Sequence, residues 1–174
     1  MKNIEKLFEE KLDKLEKDTP PHLRYHNVHH TKHVLNSVEY IAKAEKITEK
    51  ELELLKVAVL FHDLGFLIQR DGHEELSCEE AKRDLPAFDF SQEEIEKICG
   101  MIRATKTPQQ PKNHLEKIIA DAELPEIHKC WLRVSKEFTQ CDADRWISLA
   151  EQFPQYGLNS LYQVIVKDGR DGAN

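Results

Sequence analysis

Apolar residues recur along most of this chain at the spacing of α-helices. Ile4, Leu7, Phe8, Leu12 and Leu15 mark one stripe, with acids and lysines between them, and predict an amphipathic helix over residues 2–18. Pro20-Pro21 stops it, because proline lacks an amide donor and restricts the residue before it. After extended chain through Tyr25, Asn27 is placed to cap a helix that begins near His29 and carries Val34, Leu35, Val38, Ile41 and Ala42. Thr48 with Glu51 has the form of a capping box and starts a helix through Leu52, Leu54 and Leu55. That helix ends in Val57-Ala58-Val59-Leu60-Phe61, which has no polar face and is therefore expected to be buried on every side. Gly65 is expected to end it with a positive φ.

A loop over residues 66–72 leads to a helix from His73 with Leu76, Ala81 and Leu85, closed by Pro86. Ser91 and Glu94 open the next one, which contains Ile95, Ile98, Met101 and Ile102. Beyond Pro108 and Pro111 a short helix is expected over residues 115–122. Amphipathic spacing continues through Ile127, Trp131, Val134 and Phe138, then Trp146, Leu149 and Phe153; Val164-Ile165-Val166 is the one strand-like run. The polar tail over residues 168–174 is expected to fray. The pattern predicts an all-α, single-domain helical bundle over residues 1–174, in which C-terminal helices over 126–167 pack on a core of about 22–125.

Composition narrows the function classes. A charged fraction of 33% beside 40% hydrophobic residues suits a helical domain with solvated outer faces. A net charge of −7 argues against nucleic acid as a partner, but not against a small anion held by a local group of cations. No apolar run approaches the roughly 20 residues of a membrane span, and the N-terminus is charged where a signal peptide is apolar, so no membrane and a cytoplasmic location are expected. Cys78, Cys99, Cys130 and Cys141 form no Cys-x-x-Cys pair and read as reduced, partly buried thiols. An apolar stripe on the first or last helix offers a face on which two copies of the chain could pair.

The candidate chemistry starts at His62-Asp63, which the apolar run carries into the interior. A buried carboxylate beside an imidazole calls for a metal or an ion-pair partner, since a lone buried charge costs several kcal/mol. His26, His29, His30 and His33 place four histidines in eight residues, and His30 shares its helix face with Val34 and Val38, so it is the one aimed inward. Ile118-Ile119-Ala120 precedes Asp121 as the central run precedes Asp63. Two imidazoles and two carboxylates without thiolate suit Mn²⁺, Fe²⁺, Co²⁺, Ni²⁺ or Zn²⁺.

Four segments in order carry a resemblance: Tyr-His-Asn-x-x-His-Thr at 25–31, His-Asp-Leu-Gly at 62–65, His-Glu-Glu-x-Ser at 73–77 and Asp-Ala-Glu-Leu at 121–124. Together they resemble the HD-domain metal-dependent phosphohydrolase superfamily, over a little more than half of the chain. The resemblance implies an all-α bundle around a buried divalent metal ion, with His30, His62, Asp63 and Asp121 as its ligands and one ion favoured over two. It implies hydrolysis of a small phosphorylated substrate by metal-activated water, with nucleotides among the candidates. A non-catalytic ligand-binding domain and a metal-dependent hydratase or oxygenase are the alternatives on the same scaffold. Phe66 stands where one nucleotidase branch has an acid, which argues against that activity.

Within this reading Asp63 orients the attacking water, and Glu74 or Glu75 serves as acid or base. His73 either binds a second ion or touches the substrate phosphate; the loop residue His114 is the one other histidine available for a second ion before Asp121. Lys32, Arg70, Arg103 and Lys106 are the cations available for phosphate charge, Lys106 and Arg103 foremost.

Overall fold

The computed structural model describes residues 3–20 and 27–123. They form six α-helices: α1 (Ile4–Asp18), α2 (Val28–Ala44), α3 (Glu49–Phe61), α4 (His73–Asp84), α5 (Gln92–Ala104) and α6 (His114–Ala122). Two 3₁₀ turns, Leu64–Leu67 and Leu85–Phe88, follow α3 and α4, and the described residues contain no strand. The strand-like run at 164–166, the C-terminal helices expected over 126–167, Cys130 and Cys141 lie outside the described residues.

The helix starts are written locally. Asn27 accepts hydrogen bonds from the amides of His29 and His30 at the head of α2. Both predicted capping boxes form, Thr48 with Glu51 on α3 and Ser91 with Glu94 on α5. Each satisfies two amides that the first turn leaves without helical partners.

Helix α3 is the hub: it packs against α1, α2, α4, α5 and α6. Val57, Ala58, Val59, Leu60 and Phe61 are all fully buried, as a run without a polar face requires. The stripe of α1 lies on this core, with Leu7 and Leu15 buried and Ile4, Phe8 and Leu12 packed against it. Cys78 and Cys99 are buried free thiols on α4 and α5.

One expectation about the end of α3 fails. Gly65 does not take a positive φ; among the described glycines only Gly72 does, at 74°. Gly65 lies inside the 3₁₀ turn instead, and a Cβ there would sit 2.0 Å from the carbonyl oxygen of His73. Close approach of two backbones, not backbone handedness, is what demands glycine at this position.

Candidate metal centre

Helix α3 ends at Phe61, so His62 is its C-cap and Asp63 caps the start of the 3₁₀ turn, both buried within the bundle. His30 arrives from the first turn of α2, and Glu123, the C-cap of α6, lies beside them. His30, His62 and Asp63 are 4%, 1% and 3% exposed, a depth at which ionisable groups need each other or an ion.

The polar atoms converge. His62 Nε2 lies 3.4 Å from His30 Nε2 and 3.2 Å from Asp63 Oδ2, which is itself 3.5 Å from His30 Nε2. Glu123 closes the group, with Oε1 at 3.0 Å from His62 Nε2 and Oε2 at 3.3 Å from His30 Nε2. Nδ1 of His62 lies 2.6 Å from the carbonyl oxygen of Val59. A carbonyl only accepts, so Nδ1 carries a proton, and the proton a metal would displace is the one on Nε2, the nitrogen that faces the cluster.

The electrostatics are those of an anionic cage. Burial works against a charged His62, but Asp63 and Glu123 outweigh it and hold the imidazole pKa well above its ordinary value. For Glu123 burial pushes upward, and His62 and His30 more than reverse it, bringing the carboxyl down to about 2. Two imidazoles and two carboxylates within hydrogen-bonding reach are a donor set that fits a divalent cation, and His30, His62 and Glu123 each offer one atom within 4.8 Å of the others.

Asp121 is not brought into this cluster. It is fully buried, neither carboxylate oxygen has a hydrogen-bond partner, and no ion pair joins it to the histidines. Burial, reinforced by Glu45 and opposed by Lys117, pushes its pKa up to about 8. The carboxylate that reaches the histidines is that of Glu123, two residues on, which the sequence reading passed over. The visible signal was the Asp-Ala-Glu run: residues two apart on a helix point about 200° apart, so only one of the two acids can face a given site.

The remaining candidates have surroundings of their own. Phe66 stacks on the His73 ring with centroids 3.7 Å apart, and His73 Nδ1 lies 3.1 Å from the Arg70 carbonyl oxygen. Glu74 is buried, with Oε2 3.6 Å from His73 Nδ1. Arg103 and Glu75 are engaged with each other: Nε and Nη2 donate to the two carboxylate oxygens at 2.8 and 2.9 Å, which lowers the Glu75 pKa. Lys106, Lys32 and Arg70 are exposed, and His114 instead faces Glu45 at 3.5 Å.

A family model for the HD domain matches residues 27–124, more than half of the chain and all of the cluster. The chain belongs to the HD-domain family. HD domains bind divalent metals, in keeping with the donor set at the end of α3. Among solved structures this HD domain is similar to one named as a predicted HD superfamily hydrolase, from an uncultured Thermotogales bacterium, at 22% identity. That alignment covers 88% of this chain and 97% of the other with a TM-score of 0.58, which supports the shared fold. No curated protein matches the chain. No helix among the described residues is long and apolar enough to cross a membrane.

Proposed function

We propose that this HD domain is a metal-dependent phosphohydrolase acting on a small phosphate ester, with nucleotides among the candidate substrates. The observation that carries the reading is the convergence of His30, His62, Asp63 and Glu123, with contacts of 3.0–3.5 Å around His62 Nε2 and His30 Nε2. These four side chains would hold a single divalent ion, Glu123 taking the place expected of Asp121. Such an ion brings the pKa of a water it binds from 15.7 toward about 7 and polarises a phosphoryl oxygen.

The chain's own groups do the rest. Asp63 accepts a hydrogen bond from the attacking water and orients it towards phosphorus. Glu74, buried beside His73, serves as the acid or base, because Glu75 is engaged and held ionised by Arg103. The His73 ring, fixed by Phe66, and the Lys106 ammonium supply positive or hydrogen-bonding contacts to phosphate oxygens.

The test pairs metal content with turnover. Protein loaded with Mn²⁺ or Ni²⁺ is expected to bind one ion per chain and to release p-nitrophenol from p-nitrophenyl phosphate. Asp63→Ala is expected to slow that release by about 100-fold or more. Nucleotide-dependent thermal stabilisation without turnover under any metal would instead mark a binding domain, and oxygen consumption by an iron-loaded sample an oxygenase.

A further inference from the structure

The backbone that carries His62 and Asp63 is fastened by one side chain from elsewhere in the sequence. Ser77, fully buried on α4, donates its hydroxyl proton to the His62 carbonyl oxygen at 2.7 Å and accepts the Gly65 amide at 2.9 Å. A helical serine ordinarily turns its hydroxyl back to the carbonyl four residues earlier. Ser37 on α2 does this, bonding His33 O at 3.0 Å. Ser77 bonds across to the neighbouring element instead. It spans Asp63, gripping the carbonyl before it and the amide two residues after it.

The same turn meets α4 a second time at Gly65, whose Cα approaches the His73 carbonyl so closely that no side chain fits. The groups that Ser77 satisfies belong to a helix end, where carbonyls and amides lose their regular partners. Removing the hydroxyl leaves both without a partner in a dry interior and frees the turn to rotate. Any rotation there moves His62 Nε2 and Asp63 Oδ2 together, and both lie within 3.5 Å of His30 Nε2.

We infer that Ser77 is the positioning residue of the metal centre: its hydroxyl sets the register of the His62–Gly65 turn, and so the affinity of the site for a divalent cation. This inference rests on the metal-binding reading of the cluster.

The experiment measures Mn²⁺ dissociation constants calorimetrically on the full chain, beside the melting temperature of the metal-free protein. The variants are Ser77→Ala, Ser77→Thr and, as a control for stability, Ile98→Val in the core of α5. Ser77→Ala is expected to weaken Mn²⁺ binding 10–100-fold, the usual range for a lost outer hydrogen bond at a metal site. Ser77→Thr, which keeps the hydroxyl, is expected to recover part of that affinity, and Ile98→Val to leave it unchanged while lowering the melting temperature. If Ser77→Ala does not fold, Ser77→Cys keeps the size with much weaker hydrogen bonding and is expected to show the same direction. Wild-type affinity in the folded Ser77 variants, or equal weakening in Ile98→Val, would overturn the role of Ser77 alone. Failure of the wild-type protein to take up Mn²⁺ would overturn the metal site and the inference together.

Discussion

Two acids two residues apart at the end of α6 have opposite fates. Glu123 meets both histidines, while Asp121 is buried with no hydrogen-bond partner. Glu123→Gln is therefore expected to lose the metal, and Asp121→Asn to keep it, as metal content after desalting will show. The pair also differs in its pH response. Asp121 titrates near 8 when folded and near 3.8 in the unfolded chain, so between these values the unfolded state gives up a proton that the folded state retains. The contribution of Asp121 to the stability of the metal-free protein therefore falls as pH rises from about 4 to about 8. Asp121→Asn removes the titrating group, so its melting temperature should exceed that of wild type by a margin that widens across the same range. A margin independent of pH would mean that Asp121 is paired in solution. The pattern Ile-Ile-Ala-Asp-Ala-Glu announced a carboxylate going inward, but Ile118, Ile119, Ala120 and Ala122 are all buried, so no polar face distinguished Asp121 from Glu123.

At the scale of elements, what was legible was local. Capping boxes at Thr48 and Ser91 and the cap at Asn27 depend on residues three apart, and the apolar run of α3 declares its own burial. The joint between α3 and α4 was not legible, because it depends on contacts 8 to 15 residues apart: Gly65 against His73, and Ser77 against His62. Magnitude separates the two helix-associated glycines with crowded neighbours. At Gly65 an added Cβ meets backbone at 2.0 Å, and backbone cannot step aside without moving the His-Asp turn. At Gly100 it meets only the end of the Glu116 side chain, at 2.9 Å, and replacing glycine within a helix gains roughly 0.5–1 kcal/mol. Gly65→Ala should then cost about 3 kcal/mol, roughly 6–12 °C for a chain of this size, whereas Gly100→Ala should stay within about 1 kcal/mol of wild type. Thermal melts of the two variants check this directly; equal losses would show that the turn yields as easily as a side chain.

Across the whole molecule, the attachment of α1 shows which forces hold the bundle and which choose its arrangement. Leu7 and Leu15 are fully buried, and truncating either to alanine should cost about 2–5 kcal/mol, so apolar contact holds the helix. Charge fixes where it lies. Lys11 pairs with Asp84 and passes 5.2 Å from the Phe61 ring centre, Lys14 pairs with Glu80, and Arg83 binds both acids. Burial pushes the Asp84 pKa upward, but Arg83 and Lys11 outweigh it and hold it below 3.8. A carboxyl depressed in this way contributes its full stability above the unfolded pKa and loses it as pH falls through the lower, folded value. Lys11→Met keeps an unbranched aliphatic side chain and removes the ammonium that pairs with Asp84 and lies over Phe61. Since Arg83 still neutralises Asp84, the cost at pH 7 should be about 1–2 kcal/mol, below the 3–5 kcal/mol typical of a buried charge left alone. Melting curves at pH 7 and pH 3 should show the gap between wild type and Lys11→Met closing as Asp84 takes up its proton. A gap of the same size at both pH values would mean that the Lys11 ammonium acts through the Phe61 ring and not through Asp84, and that the ion pair does not position α1.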